Sequence, residues 1–373
     1  MDGSDRATDA LRAIVMAGFS RTDPRRLVDE GECVASVLLA ILIAHLIGAS
    51  NASWAAFSGY MVMRGHVAES FLRGVLRIVG TAAGAVLGLA IAPWVAGGLA
   101  LASLALMLIG GATLYASLTA KRSYAWLFVG LTFAMILLDK MQHPDVALSA
   151  FARTRMLEVM AGTLACVIVS TLSTLSVRRV WPAERSAAAA GLGWHPHAAR
   201  HAAQAAVALL ILPSLGAWLH LPALTQSAVA IMAVMLVPVS SIGASGFVPV
   251  SRRLLNRVAG CCAGGLLAAI VLFLGHGSAP ILVLGTILGV AAGRHLENGK
   301  GSLAYAGTQF VLAILVTLVP DDYAKAHIGP ALDRLAGTLI GMALLEPVLL
   351  AWHLIAPGVK HEGVSAEAEA GGI

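Results

Sequence analysis

Runs of apolar residues close to twenty long recur along this chain, and a chain built that way has few folds open to it. At 1.5 Å per residue, roughly 20 apolar residues cross about 30 Å of hydrocarbon, where the backbone must satisfy its own N–H and C=O groups. The sequence predicts helices near 34–50, 51–63, 77–95, 97–118, 124–138 and 157–175, and a second set near 201–219, 224–239, 257–274, 279–296, 303–320 and 332–356. The segments 51–63 and 224–239 are short for a full crossing. A membrane barrel is excluded by run length, because its strands alternate in segments of about ten residues. With 58% hydrophobic and 12% charged residues among 373, and a mean hydropathy of +0.83, the soluble globular class is excluded as well. The expected fold is an all-α polytopic membrane protein of about 12 transmembrane helices.

The formal charge of +5 invites a nucleic-acid reading, but its distribution opposes one. With the N-terminus inside, 20 of the 25 basic residues fall in segments on the cytoplasmic side, and Lys140, Arg153, Arg155, Lys325 and Arg334 fall outside. That asymmetry is what the positive-inside rule predicts, so the expected location is a bacterial-type inner membrane with both termini cytoplasmic and no nucleic-acid partner. Residues 1–30 are mixed and charged, without the long apolar core or small-residue cleavage site of a signal peptide. Cys33, Cys166, Cys261 and Cys262 lie in or beside predicted spans and read as small packing residues.

One motif repeats. Arg77, Gly80, Gly84 and Gly88 in "RIVGTAAGAVLG" share their spacing with Arg257, Gly260 and Gly264 in "RVAGCCAG" and with Arg334, Gly337 and Gly341 in "RLAGTLIG". A weaker copy, "LEVMAGTLAC" over 157–166, carries Gly162 and lacks the arginine. Offsets between copies lie near 180 residues, which indicates two tandem six-helix units. Six is even, so both units enter from the same side and the repeat is parallel, a common transporter plan with the substrate route between the halves. The expected division is an N-terminal segment 1–33, a first repeat 34–175, a cytoplasmic linker 176–200, a second repeat 201–356 and a C-terminal tail 357–373.

Glycines four residues apart line one helix face and let a neighbouring backbone approach, so Gly80, Gly84, Gly88, Gly162, Gly260, Gly264, Gly337 and Gly341 are expected to pack helices. An arginine at the head of a helix opposes the macrodipole unless an anion sits there. Arg77 and Arg257 can serve as cytoplasmic anchors, but Arg334 starts on the outer side, where topology gives it no support. Thr132-Phe133 and Thr308-Gln309-Phe310 occupy matching places in the fifth and eleventh helices and would suit an aromatic carboxylate, ring stacked and carboxylate hydrogen-bonded. Glu346, followed by Pro347, and His45, mid-helix, are the ionisable groups expected to carry protons. Trp54, Trp94, Trp181 and Trp218 are expected at the membrane interfaces.

Enzyme signatures are missing from the sequence: it has no phosphate loop, no HExxH, no Gly-x-Ser-x-Gly and no CxxC. "HPHAARH" at 195–201 has no carboxylate or cysteine at ligand spacing, and Asp321-Asp322 is a lone acidic pair, so no metal and no cofactor is expected.

The tryptophan-led "SWAAFSGYMVM", the basic "RGHVAESFLRGVLR", then "RIVGTAAGAVLG" and "ALDRLAGTLIG" together resemble the fusaric acid resistance inner-membrane proteins. That family includes aromatic acid exporters and is distantly similar to aluminium-activated malate transporters. The resemblance implies proton-driven export of small organic, often aromatic, acids. Its larger members carry a substantial soluble cytoplasmic region, whereas the linker here spans only residues 176–200. In this reading Arg77, Arg257 and Arg334 attract the anion, Thr132 and Gln309 orient it, and Glu346 couples it to protons. A passive organic-anion channel and a non-transporting assembly subunit are the alternatives. The partners expected are the bilayer and an organic acid, with a second copy of the chain or a periplasmic adaptor protein as further candidates.

Overall fold

The computed structural model describes residues 23–183, 193–221, 223–242, 246–299 and 303–355. Among these the chain is helical and contains no strand. In order the helices are α1 (Pro24–Leu46), α2 (Ala52–Val62), α3 (Val67–Val95), α4 (Leu99–Thr119), α5 (Ser123–Gln142), α6 (Leu148–Leu175), α7 (Pro196–Leu219), α8 (Leu224–Val234), α9 (Val239–Ile242), α10 (Phe247–Gly275), α11 (Ala279–Glu297), α12 (Ala304–Leu318) and α13 (Gly329–Ile355). Eight of them, α3 to α7, α10, α11 and α13, are long and apolar enough to cross a membrane. This is a multi-pass membrane protein. The remaining predicted spans are helical too, but α8 and α12 are short and α2 has 11 residues.

Several helices begin well before their apolar runs. α3 starts at Val67 and α10 at Phe247, so Arg77 and Arg257 stand ten residues in, about 15 Å from the helix start. A hydropathy scan stops at the first charge, whereas a helix continues while its backbone bonds close. These arginines therefore do not oppose a free N-terminus, since the N–H groups around them are already bonded within the helix. Likewise α1 occupies residues 24–33 of the expected N-terminal segment, and α7 begins inside the expected linker. Residues 1–22, 184–192 and 356–373, which include the rest of that segment, part of the linker and the C-terminal tail, lie outside the described residues.

The glycine faces are where helices meet. A Cβ at Gly80 would lie 2.4 Å from the Ala125 carbonyl oxygen, and one at Gly84 2.5 Å from that of Val129, while Gly88 abuts Ile136, so α3 lies directly on α5. α10 lies on α12 in the same way, with Gly260 at 2.4 Å from the Ala306 oxygen and Gly264 at 2.4 Å from that of Phe310. Gly162 brings α6 onto α2 at Ala55 and Ser58, and Gly337 and Gly341 bring α13 onto α8 at Gln226, Ser227 and Ala230.

The short helices α2 and α8 end inside the fold, and their terminal polar groups are met by side chains. Arg73 Nε donates to the Met61 carbonyl at 3.0 Å and Arg64 Nη1 to that of Met63 at 2.6 Å, while His201 Nε2 lies 3.0 Å from the Met235 carbonyl. Broken helices are tolerated at membrane depth only where they line a cavity or are covered by protein. The start of α2 is held by Asp321, whose Oδ1 accepts from Ala52 N at 2.9 Å across 269 residues of chain. This gives a role to one of the two aspartates that formed a lone acidic pair in the sequence. Asp321→Ala is expected to lower stability by about 1 kcal/mol, as for loss of an N-cap, read as a lower thermal midpoint in mild detergent.

Among the contacts that join the first six helices to the later ones, two seams differ in character. α1 meets α11 through ions: Asp29 accepts from Arg294 Nε at 2.7 Å, His295 lies 2.8 Å from Glu30, and Tyr60 of α2 hydrogen-bonds Glu297. Arg178 of the linker joins this seam by donating to both oxygens of Glu32. α4 meets α7 instead through small residues, with Gly110 against Leu209 and Gly111 against Ala206.

Candidate functional site

Between α2, α3, α5 and α6 on one side and α8, α10, α12 and α13 on the other lies a cavity. Most of its wall is apolar, yet it holds five arginines, Arg77, Arg155, Arg253, Arg257 and Arg334, and one carboxylate, Glu158.

Arg77 is 2% exposed. Its guanidinium carbon lies 4.1 Å from the Phe128 ring centre and 4.9 Å from that of Phe57, and its Nη1 donates to Tyr124 Oη at 3.1 Å. Arg73 covers the Tyr124 ring at 3.9 Å. The opposite wall repeats the arrangement: Arg253 covers the Tyr305 ring at 4.1 Å and Arg257 Nη1 donates to Tyr305 Oη at 3.3 Å. Arg257 Nε also donates to Thr338 Oγ1 at 3.2 Å, tying α10 to α13. The residue before Gly80 and Gly260 by three is thus an arginine facing a tyrosine across the close α3–α5 and α10–α12 contacts. The tyrosines went unnoticed in the sequence, although the matching "SYA" at 123–125 and "AYA" at 304–306 marks them.

Arg334 enters the same cavity from α13, five residues or about 8 Å from the start of that helix. Its Nη2 donates to Gln309 Oε1 at 2.8 Å, and its partner is an amide rather than Asp333, Asp321 or Asp322. Arg77, Arg257 and Arg334 therefore converge. None of them is a surface anchor.

Their hydrogen bonding is incomplete. Arg77 Nε, Arg257 Nη2 and Arg334 Nε are buried without a partner, as is Glu158 Oε1. Leaving a buried donor unmet costs about 1–3 kcal/mol each, more for charged groups, so their convergence on one cavity calls for an acceptor there.

Of the other predicted residues, Thr132, Thr308 and Gln309 line the cavity; Phe133 and Phe310 do not. Successive helical residues point about 100° apart, and here the residue that follows Thr132 or Gln309 turns away from the chamber into the helix packing. Phe133 is fully buried in the packing core, and Phe310 packs between α12 and its neighbours. The pairing of the fifth and eleventh helices is also shifted by one turn from the sequence alignment. Gly84 meets Thr132 where Gly264 meets Ala313, and Gly80 meets Phe128 where Gly260 meets Gln309. Thr132 and Gln309 thus sit at different depths.

Neither expected proton carrier is in the cavity. Glu346 is half-buried and accepts from Ser251 Oγ at 3.0 Å. His45 is exposed, with Nδ1 2.8 Å from the Ile41 carbonyl and its ring stacked on Tyr323. Trp54, expected at an interface, lines the cavity, with Arg155 4.0 Å above its ring. Trp94 and Trp218 are exposed as an interfacial role requires. Among the described residues no group of three or more His, Cys, Asp or Glu side chains is placed to hold a metal.

Two further cavities flank the central one. One, lined by Asn51, Gln142, Gln226 and Asp333, shares Trp54 and Arg334 with it; the other, lined by Pro238, Pro249 and Asn256, shares Arg253. An arginine therefore stands at each junction.

No curated protein and no solved structure matches the chain. A family model described as fusaric acid resistance protein-like matches residues 39–169 and 243–345, more than half of the sequence. All five cavity arginines and Glu158 fall within the matched segments. This chain belongs to the fusaric acid resistance protein-like family of membrane proteins.

Proposed function

We propose that the protein is a secondary transporter that carries small apolar anions, aromatic carboxylates above all, through the central chamber. The observation behind this reading is the convergence of Arg77, Arg257 and Arg334, each with an unmet donor, on a cavity whose remaining wall is largely apolar. A buried cation without a partner is costly, and a carboxylate entering the chamber would accept the free N–H groups in charge-assisted bonds. Phe57 and Phe128 offer ring faces to the apolar body of such a ligand. Fusaric acid, named in the family description, is itself an aromatic carboxylic acid, and resistance to it favours export.

The flanking cavities support a path between the two membrane faces, with Arg253 and Arg334 where they adjoin the central chamber. Two parallel six-helix units, 34–175 and 201–356, are supported by the repeated Arg-Tyr pairs and glycine contacts. An inner-membrane location with cytoplasmic termini rests on charge. Setting aside the five chamber arginines leaves 17 basic residues on the expected inner side and three, Lys140, Arg153 and Lys325, on the outer.

The test compares benzoate, benzamide and benzylamine, which share a ring and differ in charge, by titration calorimetry on the purified protein and by flux into proteoliposomes. Benzoate is expected to bind at least tenfold more tightly than benzamide and to be moved, with benzylamine inert. Equal binding of benzylamine, or no binding and no flux of benzoate or fusaric acid, would overturn the reading.

A further inference from the structure

Glu158, the chamber's lone carboxylate, is left without a role by the arginine cluster alone. It is fully buried on α6, its Oε2 accepts from Arg155 Nη1 at 3.1 Å, and its Oε1 is the unpartnered acceptor in the cavity. Arg155 is confined above the Trp54 ring, with Phe151 5.1 Å away, and Trp54 lines both the central chamber and the flanking cavity beside Asn51. The pair therefore stands at the junction between the two. In the later half the aligned residue, Asp333, is exposed and lines only the flanking cavity, and Arg334 is bonded to a neutral amide. Arg334 thus keeps an unmet Nε for an anion, and Arg155 is covered by a carboxylate of its own helix.

We propose that Glu158 is a tethered substitute for the substrate carboxylate. With the chamber empty, Glu158 holds Arg155; the entering anion takes Arg155 when Glu158 binds a proton from solution and lets go. The proton ends on the Glu158 carboxyl, the Arg155–Glu158 ion pair is exchanged for an Arg155–substrate pair, and one proton is taken up for each anion bound. This rests on the reading of the chamber as an anion site.

The surroundings bear on the titration. Arg77 faces Glu158 from α3, Asp321 from beyond α12, and Asp139 of α5 acts on Arg155 from its other side. From α2 come uncharged residues, Trp54 and Ser58, with Asn51 just ahead of it. On α1, Asp29, Glu30 and Glu32 are paired with Arg294, His295 and Arg178, and His45 is turned to Tyr323. Arg155 is thus the only basic group bonded to Glu158 among the described residues.

Benzoate binding to the purified full chain is measured by calorimetry from about pH 5.5 to about pH 8, where benzoate stays ionised, in buffers of different ionisation enthalpy. The wild type is expected to bind more weakly as pH rises, approaching tenfold per unit, and to take up about one proton per benzoate. Glu158→Gln, nearly the same shape, is expected to bind with the affinity of the acidic wild type at every pH and to take up none. A wild type with pH-independent affinity and no proton uptake overturns the proposal without any variant, and so does Glu158→Gln with the wild-type pH profile. In both cases benzoate still binds and the chamber reading stands; if benzoate binds neither protein, the chamber reading falls and this proposal with it.

Discussion

Arg257→Gln is expected to weaken benzoate binding by roughly 30- to 150-fold, which corresponds to about 2–3 kcal/mol for a charge-assisted hydrogen bond in a buried site. The size follows from the position of the side chain. Arg257 is 2% exposed, Tyr305 and Thr338 fix two of its donors, and Nη2 is left free. The charge there is shielded from bulk water, and among the described residues no carboxylate bonds it. Glutamine is shorter and neutral, so it removes both the charge and the fork. Arg257→Lys keeps the charge without the bidentate geometry and is expected between glutamine and wild type. Lys325→Gln serves as the control, since that side chain is 83% exposed and pairs with its neighbour Asp322. Calorimetry on the purified variants checks this, and an Arg257→Gln affinity within about threefold of the wild type would remove Arg257 from the site.

Gly260→Val is expected to have the largest effect on folding. A Cβ at this position would lie 2.4 Å from the Ala306 carbonyl oxygen, a backbone atom that cannot swing aside, and Gly264 is equally close to the Phe310 oxygen one turn on. α10 and α12 would have to separate by an ångström or more, losing contact along the whole face. Overpacking of this kind costs on the order of 3 kcal/mol. The damage reaches the chamber as well, because Gln309 Cβ would lie 2.8 Å from the new atom and Gln309 is what holds Arg334. Gly97→Ala is the matched control: nothing lies within 4 Å of its added Cβ. Size-exclusion profiles after graded heating in mild detergent should show Gly260→Val losing its monodisperse fraction at temperatures that leave the wild type and Gly97→Ala intact. Equal survival of all three would show that the close approach of α10 and α12 does not limit stability.

Arg77 and Gly80 show how much of this was legible in the sequence and where legibility ended. The glycine spacing announced a packing face, and each glycine singled out for packing does meet another helix at close range. The arginine was misplaced, because an apolar run ends at a charge but the helix does not. Read as a helix head, Arg77 suggested an anchor; seen three turns into α3, it is a buried group with an unmet donor. Glu346 drew attention because it interrupts an apolar run, and it proved to be bonded to Ser251 away from the cavity. Glu158, flanked by Arg155 and a more mixed stretch, drew none.

Helical class, membrane residence, glycine faces and the family are all properties of local pattern, since run length, period and motif spacing are written along the chain. Which residues share a chamber is a different kind of fact. It depends on how far each helix continues past its charges and on the register in which α5 and α12 meet their partners, a register that differs by one full turn from the sequence alignment. A one-turn shift leaves the same helix face presented and so costs the sequence pattern nothing, but it changes which side chains stand at the same depth. Only the packed structure could bring Arg77, Arg257 and Arg334 together from three separate helices and set Glu158 among them.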